Sequence, residues 1–126
     1  MKSRASLLAA ALHGFCAVAM GAFAAHALRS RLSPEALGWV HTGAQYQAVH
    51  AAVLVALAVW IDRGAPRGVA VAHWIVTVGT LLFSGSLYVM ALSGWRGVAL
   101  ATPVGGTLML LGWAILIWTA VARRNR

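Results

Sequence analysis

Four long uncharged stretches limit what this chain can fold into: residues 5–28, 42–61, 68–92 and 103–122. An α-helix rises 1.5 Å per residue, so about 20 apolar residues cross the roughly 30 Å hydrocarbon layer of a bilayer. Backbone in lipid must satisfy its own N–H and C=O groups, which leaves helices and closed barrels. The alternating ten-residue segments of a barrel are missing from the sequence. The expected architecture is all-α, a four-helix transmembrane bundle, built as one integral membrane domain over residues 1–126.

Composition agrees. The chain is 61% hydrophobic and only 10% charged, against about 25% charged in soluble domains. It has too little polar surface to coat a globule in water, and it is too apolar for disorder. The net charge of +8 would suggest nucleic acid in a soluble protein, but the basic residues sit at the ends of apolar runs. Nucleic acid is therefore not an expected partner, and the lipid bilayer is.

The connections are short and carry helix signals. Ser33-Pro34-Glu35 combines an N-cap, a first-turn proline and an acid near the helix dipole, so the second helix is expected to start near Pro34. Residues 62–67 and 93–97 hold the breakers of two tight turns. Thr102-Pro103 repeats the cap-then-proline pattern. Trp39, Trp60, Trp74, Trp95 and Trp118 fall near helix ends, where amphipathic rings favour the headgroup layer, while Trp113 lies well inside a span.

With four spans, Lys2, Arg4, Arg63, Arg67, Arg123, Arg124 and Arg126 share one side, against Arg29, Arg31 and Arg96 on the other. The positive-inside rule then places both termini in the cytoplasm, N-in and C-in. Residues 1–24 also bear marks of a signal peptide, ending in Ala22-Phe23-Ala24. The run is long for one, and it contains His13, Gly14 and Gly21; a retained first helix is expected.

Helical spacing sorts the faces. Ala10, Gly14, Ala17, Gly21 and Ala24 form a small-residue stripe on the first helix, and Gly105, Gly112 and Thr119 form a line on the fourth. Such residues let helix backbones approach closely in lipid. Gly85 invites the same packing reading. On the third helix, His73, Thr77, Thr80, Ser84 and Tyr88 fall within about 80° of one another, a polar stripe expected to face the interior. The second helix gathers Gly43, Tyr46, Gln47 and His50 on one face, with Tyr46 and His50 four apart and able to meet. His26 lies about 140° from His13 around the first helix and belongs to a different site.

His13, Tyr46, Gln47, His50, Ser84 and Tyr88 are the candidate buried polar cluster. It reads either as a hydrogen-bond network that locks the helices, or as a functional track for a proton, a solute or a headgroup.

The chemistry open to this chain is narrow. Its two acids, Glu35 and Asp62, lie at helix ends, so paired carboxylates and hard-cation sites are not expected. No histidines are spaced four apart on one helix, and no metal or cofactor is expected. Ser84-Gly85-Ser86 with His50 would be needed for a lipid-acting serine enzyme, with no acid to orient the base. Cys16, the lone cysteine, reads as a small buried hydrophobe.

The order and spacing of Gly21-Ala22-Phe23-Ala24-Ala25-His26-Ala27-Leu28, Gln45-Tyr46-Gln47 with His50-Ala51, residues 82–88, residues 102–106 and Gly112-Trp113 closely resemble the domain-of-unknown-function family 423, which is similar to transmembrane protein 256. The resemblance covers nearly the whole chain. It implies a small bacterial inner-membrane protein with an uncleaved first helix, and it implies no activity.

The expected function is a non-enzymatic membrane component that packs with itself as a homo-oligomer, or with a membrane-protein partner. A carrier or channel for a proton or small polar solute is the alternative, and an enzyme acting on lipid the third.

Overall fold

The structure, a computed structural model, describes residues 3–124, and side chains through residue 122. Lys2 and Arg126, two of the residues behind the orientation reading, lie outside the described residues, as do the side chains of Arg123 and Arg124.

Four helices carry the fold: α1 (Arg4–Ala25), α2 (Pro34–Asp62), α3 (Arg67–Ser93) and α4 (Ala101–Arg124), with one 3-10 turn at Arg96–Val98. Each is long and apolar enough to cross a membrane. The expected all-α class therefore holds.

The helix starts and stops follow from local chemistry. Ser33 Oγ accepts the Ala36 N–H at 3.1 Å, and Pro34 occupies the first helical position where its missing N–H costs nothing. This makes α2 one continuous helix of 29 residues. Gly64 (φ 88°) turns the chain after α2, and Gly94 (φ 71°) ends α3 in the left-handed conformation that glycine adopts without a Cβ clash.

Two boundaries differ from expectation. The first span ends at Ala25 rather than residue 28, because the Leu28 N–H turns back to the Phe23 carbonyl at 2.8 Å and closes the helix. The fourth begins at Ala101, which puts Thr102 inside its first turn. The Thr102 hydroxyl does not cap that helix; it pairs with Ser86 Oγ of α3 at 2.6 Å.

The helices pack in chain order: α1 on α2, α2 on α3, α3 on α4, with a lighter contact between α1 and α3. Helices α1 and α4 share no broad interface among the described residues, so the four do not close into a ring. An exposed Glu35–Arg96 pair (3.7 Å), with Arg96 also over the Trp39 ring at 5.1 Å, ties the start of α2 to the α3–α4 connection. Being solvent-exposed, that pair contributes about 0–1 kcal/mol.

Along the α3–α4 interface the two helices approach closely at glycines. A Cβ on Gly79 would stand 2.8 Å from the Gly105 carbonyl and 2.9 Å from the Met109 nitrogen. One on Gly105 would strike the backbone of Phe83, and one on Gly112 the side chain of Val76. Gly68 meets Thr119 in the same way at the opposite end of the pair. Bare backbones in contact let dispersion act along the whole length, which is how helices associate where water supplies no driving force.

Candidate functional site

The interior of α1, α2 and α3 is mostly small: Ala10, Leu54 and Val76 pack together in one half, Ala24, Val40 and Ala91 in the other. Between these clusters the polar side chains meet. His13 Nε2 lies 3.2 Å from the Thr77 carbonyl, and His13 Nδ1 lies 3.0 Å from Gln47 Nε2. The Tyr88 hydroxyl donates to Gln47 Oε1 at 2.8 Å.

One carbonyl sets the direction of this chain. The Thr77 oxygen can only accept, so Nε2 of a neutral His13 carries the proton and Nδ1 must accept. Gln47 then presents its NH₂ to His13, which leaves Oε1 for the Tyr88 O–H. The order Tyr88 to Gln47 to His13 to Thr77 runs donor to acceptor without a break and joins all three helices.

His50 belongs to a different group. Its Nδ1–H donates to the Tyr46 carbonyl of its own helix at 2.8 Å, and its Nε2 accepts the Trp113 indole N–H at 3.2 Å. It holds the opposite tautomer from His13, for the same reason: a carbonyl faces one nitrogen, and an obligate donor faces the other. Trp113 thus bridges α4 to α2. The Tyr46 ring lies parallel to His50 (6.3 Å between centroids, 7°) and tilts against Phe83 at 4.8 Å.

The six candidate residues therefore split. His13, Gln47 and Tyr88 come together. Ser84 donates separately to the Gly43 carbonyl at 2.8 Å, beside the Tyr88 ring, whose nearest carbon would be 2.7 Å from a Cβ on Gly43. Tyr46 and His50 face α4 across the helix, and Tyr46 is exposed rather than buried. Sequence spacing placed all three α2 residues on one broad face; a third helix packing into the middle of that face divides it.

Other expectations also shift. Cys16 is exposed: it lies to one side of the inward-turned Ala10, His13 and Ala17, on the flank of α1 that lines a groove toward α3. Gly14 makes ordinary contact with Ala51 (3.8 Å from a Cβ), while Gly21 and Gly85 have no atom within 4 Å of where a Cβ would stand. Thr77 bonds back to the His73 carbonyl at 2.8 Å, the local arrangement expected of threonine in a helix. Thr80 does not, and its hydroxyl and the two ring nitrogens of His73 are fully buried without a hydrogen bond of good geometry among the described residues.

The spacing argument missed Gly79 and Trp113, and it placed Gly43 on the polar face of the second helix without reading it as a close-contact glycine. Gly79 and Gly43 each sit where a neighbouring helix touches bare backbone. Trp113 carried a usable signal, since it is the tryptophan placed mid-span, where an indole N–H needs a partner.

Ser84 and Ser86 are also accounted for. Ser84 is bonded to Gly43, and Ser86 to the Phe83 carbonyl and Thr102, while His50 is held by Tyr46 and Trp113. No serine–histidine pair forms among them. Among the described residues there is also no group of three metal-ligating side chains.

The family model for a protein of unknown function, DUF423, matches residues 20–106, a stretch that includes Tyr46, Gln47, His50, Ser84 and Tyr88. The chain is also 41% identical over 126 residues to the UPF0382 inner membrane protein YgdD of Escherichia coli (strain K12), covering 100% of this chain and 96% of that one. The chain belongs to the DUF423 family. The UPF0382 membrane protein of Haemophilus influenzae is 44% identical over 110 residues, covering 86% of each chain. YwdK of Bacillus subtilis, a UPF0382 membrane protein, is 34% identical over 116 residues, covering 91% of this chain and 94% of its own. No solved structure matches. Like these relatives, this DUF423 member is a membrane protein; it has four helices able to span and resides in the bacterial inner membrane.

Proposed function

We propose that this DUF423 protein is a non-enzymatic inner-membrane component that assembles through its lipid-facing helices with a second copy or with another membrane protein. Both termini face the cytoplasm in this reading, following the basic residues.

The observation that carries it is the contrast between the polar interior and a groove on the outside. Inside, the candidate cluster is spent on itself and on backbone carbonyls, with no nucleophile set against a base. Outside, where α1 and α3 touch only lightly, a mostly apolar groove of about 230 Å³ is lined by Phe15, Cys16, Leu81 and Gly85, with Gln47 and Tyr88 of the cluster also in its wall. Small residues without a neighbour are what a further helix needs for close approach in lipid. Gly85, in the groove, has nothing within 4 Å of where its Cβ would stand.

The test is native mass spectrometry of the protein extracted gently from its own membrane, wild type against Gly85→Leu. A defined assembly, of copies or with a second protein, is expected for the wild type, and a monomer for the variant. A wild-type monomer would overturn the reading.

A second reading, a proton or polar-solute carrier, is favoured by one observation. His73 and Thr80 are fully buried, without a hydrogen bond of good geometry among the described residues, on the face of α3 that also carries Tyr88, as stations on a path would be. Gln47 weighs against proton transfer, since an amide stands between Tyr88 and His13 and does not readily pass a proton on. Proteoliposomes loaded with a pH dye test this reading, which a proton flux abolished by His13→Ala would support.

A further inference from the structure

A second concavity lies on the opposite side of α2, between α2 and α4 and floored by Phe83 of α3. Its volume is about 290 Å³. Four unsaturated rings line it, those of Tyr46, His50, Phe83 and Trp113, together with Gly106 and Leu110. The Tyr46 and His50 rings share one orientation, the Phe83 ring tilts 50° against Tyr46, and the Trp113 indole stands 71° to His50.

Position decides where a ligand would come from. Tyr46 is about 18 Å and His50 about 24 Å along an α2 that is about 43 Å long, so the crevice opens near the middle of the span. Tyr46 (46% exposed), Trp113 (40%) and Leu110 (71%) leave its mouth facing the hydrocarbon layer. A ligand enters sideways from lipid, and it is neutral, since none of the lining residues is charged.

The lining then selects among lipid-soluble molecules. The indole N–H of Trp113 is given to His50, and the Nδ1–H of His50 to a backbone carbonyl. The Tyr46 hydroxyl has no hydrogen-bond partner among the described residues, which leaves one free donor in a wall of aromatic faces. A straight acyl chain offers that donor nothing and gains little from the rings. A flat conjugated ring bearing carbonyl oxygens, which only accept, satisfies both. The volume falls just under the roughly 300–1,000 Å³ of whole-ligand pockets, enough for a ring with its tail left in the bilayer. At Gly106 a Cβ would touch the Phe83 ring no closer than 3.8 Å, so the absence of a side chain there keeps space open rather than relieving a clash.

We propose that the α2–α4 crevice binds the ring of a membrane-dissolved quinone, packed against the His50, Phe83 and Trp113 rings, with a quinone carbonyl accepting from the Tyr46 hydroxyl at the edge of the Tyr46 ring. The site is independent of the α1–α3 groove and of assembly through it.

The test uses the full chain in lipid nanodiscs, titrated with decylubiquinone and followed by quenching of intrinsic tryptophan fluorescence, with protein whose tryptophans are equally exposed to partitioned quinone as the control. Quenching by partition alone is linear in quinone; occupancy of a site saturates. Saturable quenching is expected for the wild type and for Val18→Leu, a change on the lipid face of α1. Gly106→Leu, which fills the crevice, is expected to lose the saturable component. Tyr46→Phe, which removes only the donor, is expected to weaken binding about ten-fold. Purely linear quenching of the wild type overturns the proposal, as does saturable binding that is unchanged in Gly106→Leu with native helicity. Should Gly106→Leu fail to fold, unchanged affinity in Tyr46→Phe overturns it on its own.

Discussion

Gln47 Nε2 stands 3.0 Å from His13 Nδ1, so that one amide joins a histidine of α1 to a tyrosine of α3 through α2. Both ends of the Gln47 side chain are used and the residue is buried. Gln47→Leu removes two bonds at once and strands an acceptor on His13 and a donor on Tyr88. Hydrogen bonds inside membrane proteins contribute about 0.6–2 kcal/mol each, so the substitution is expected to destabilise the fold by about 1–3 kcal/mol. Ser84→Ala, which removes one bond to the Gly43 carbonyl, is expected to cost about 1 kcal/mol or less. Unfolding titrations in SDS, followed by helicity, check the order.

Two glycines are expected to respond to alanine with opposite signs. A Cβ on Gly105 would collide with the Phe83 backbone and the Gly79 carbonyl, so Gly105→Ala forces α3 and α4 apart, at about 1–3 kcal/mol. Gly85 has open space where its Cβ would stand, so Gly85→Ala is expected to gain about 0.5–1 kcal/mol from helix propensity. Thermal melts of the two variants in the same detergent make the comparison.

Much of the fold was legible in the sequence. Hydrophobic length marked the spans, and the Ser33-Pro34-Glu35 signal marked the start of α2, because both depend on residues close in the chain. The site was legible in part. Periodicity gives the face a residue occupies on its own helix and does not say which helix covers that face. His13, Gln47 and Tyr88 meet because α1 and α3 both pack on one edge of α2. Tyr46 and His50, on the same broad face, turn instead to α4. Gly21 and Gly85 look like Gly105 in sequence; the difference is a neighbour supplied by tertiary packing.

Trp113 is expected to act as a latch between α2 and α4. Trp113→Phe keeps an aromatic ring but removes the N–H that His50 Nε2 accepts at 3.2 Å. A loss of about 0.6 kcal/mol is expected, with faster hydrogen exchange confined to α4, since α3 still holds that helix through its glycines. Hydrogen exchange read by mass spectrometry distinguishes this from a global loss.

The orientation reading has its own check. Reporter fusions at the C-terminus and in the Asp62–Arg67 turn are expected to be active only on the cytoplasmic side, and one near Arg96 only outside, following the basic residues. Reversed activities would show that the charge bias does not set the topology.

The most direct test of assembly through the α1–α3 groove is photocrosslinking in the native membrane. A benzophenone amino acid replacing Phe15, which lines the groove, is compared with one replacing Trp118, which is equally exposed on α4. A discrete protein adduct from position 15, to a second copy or to one other protein, and none from position 118, is the predicted result. Position 15 yielding no protein adduct in cells would contradict the assembly role.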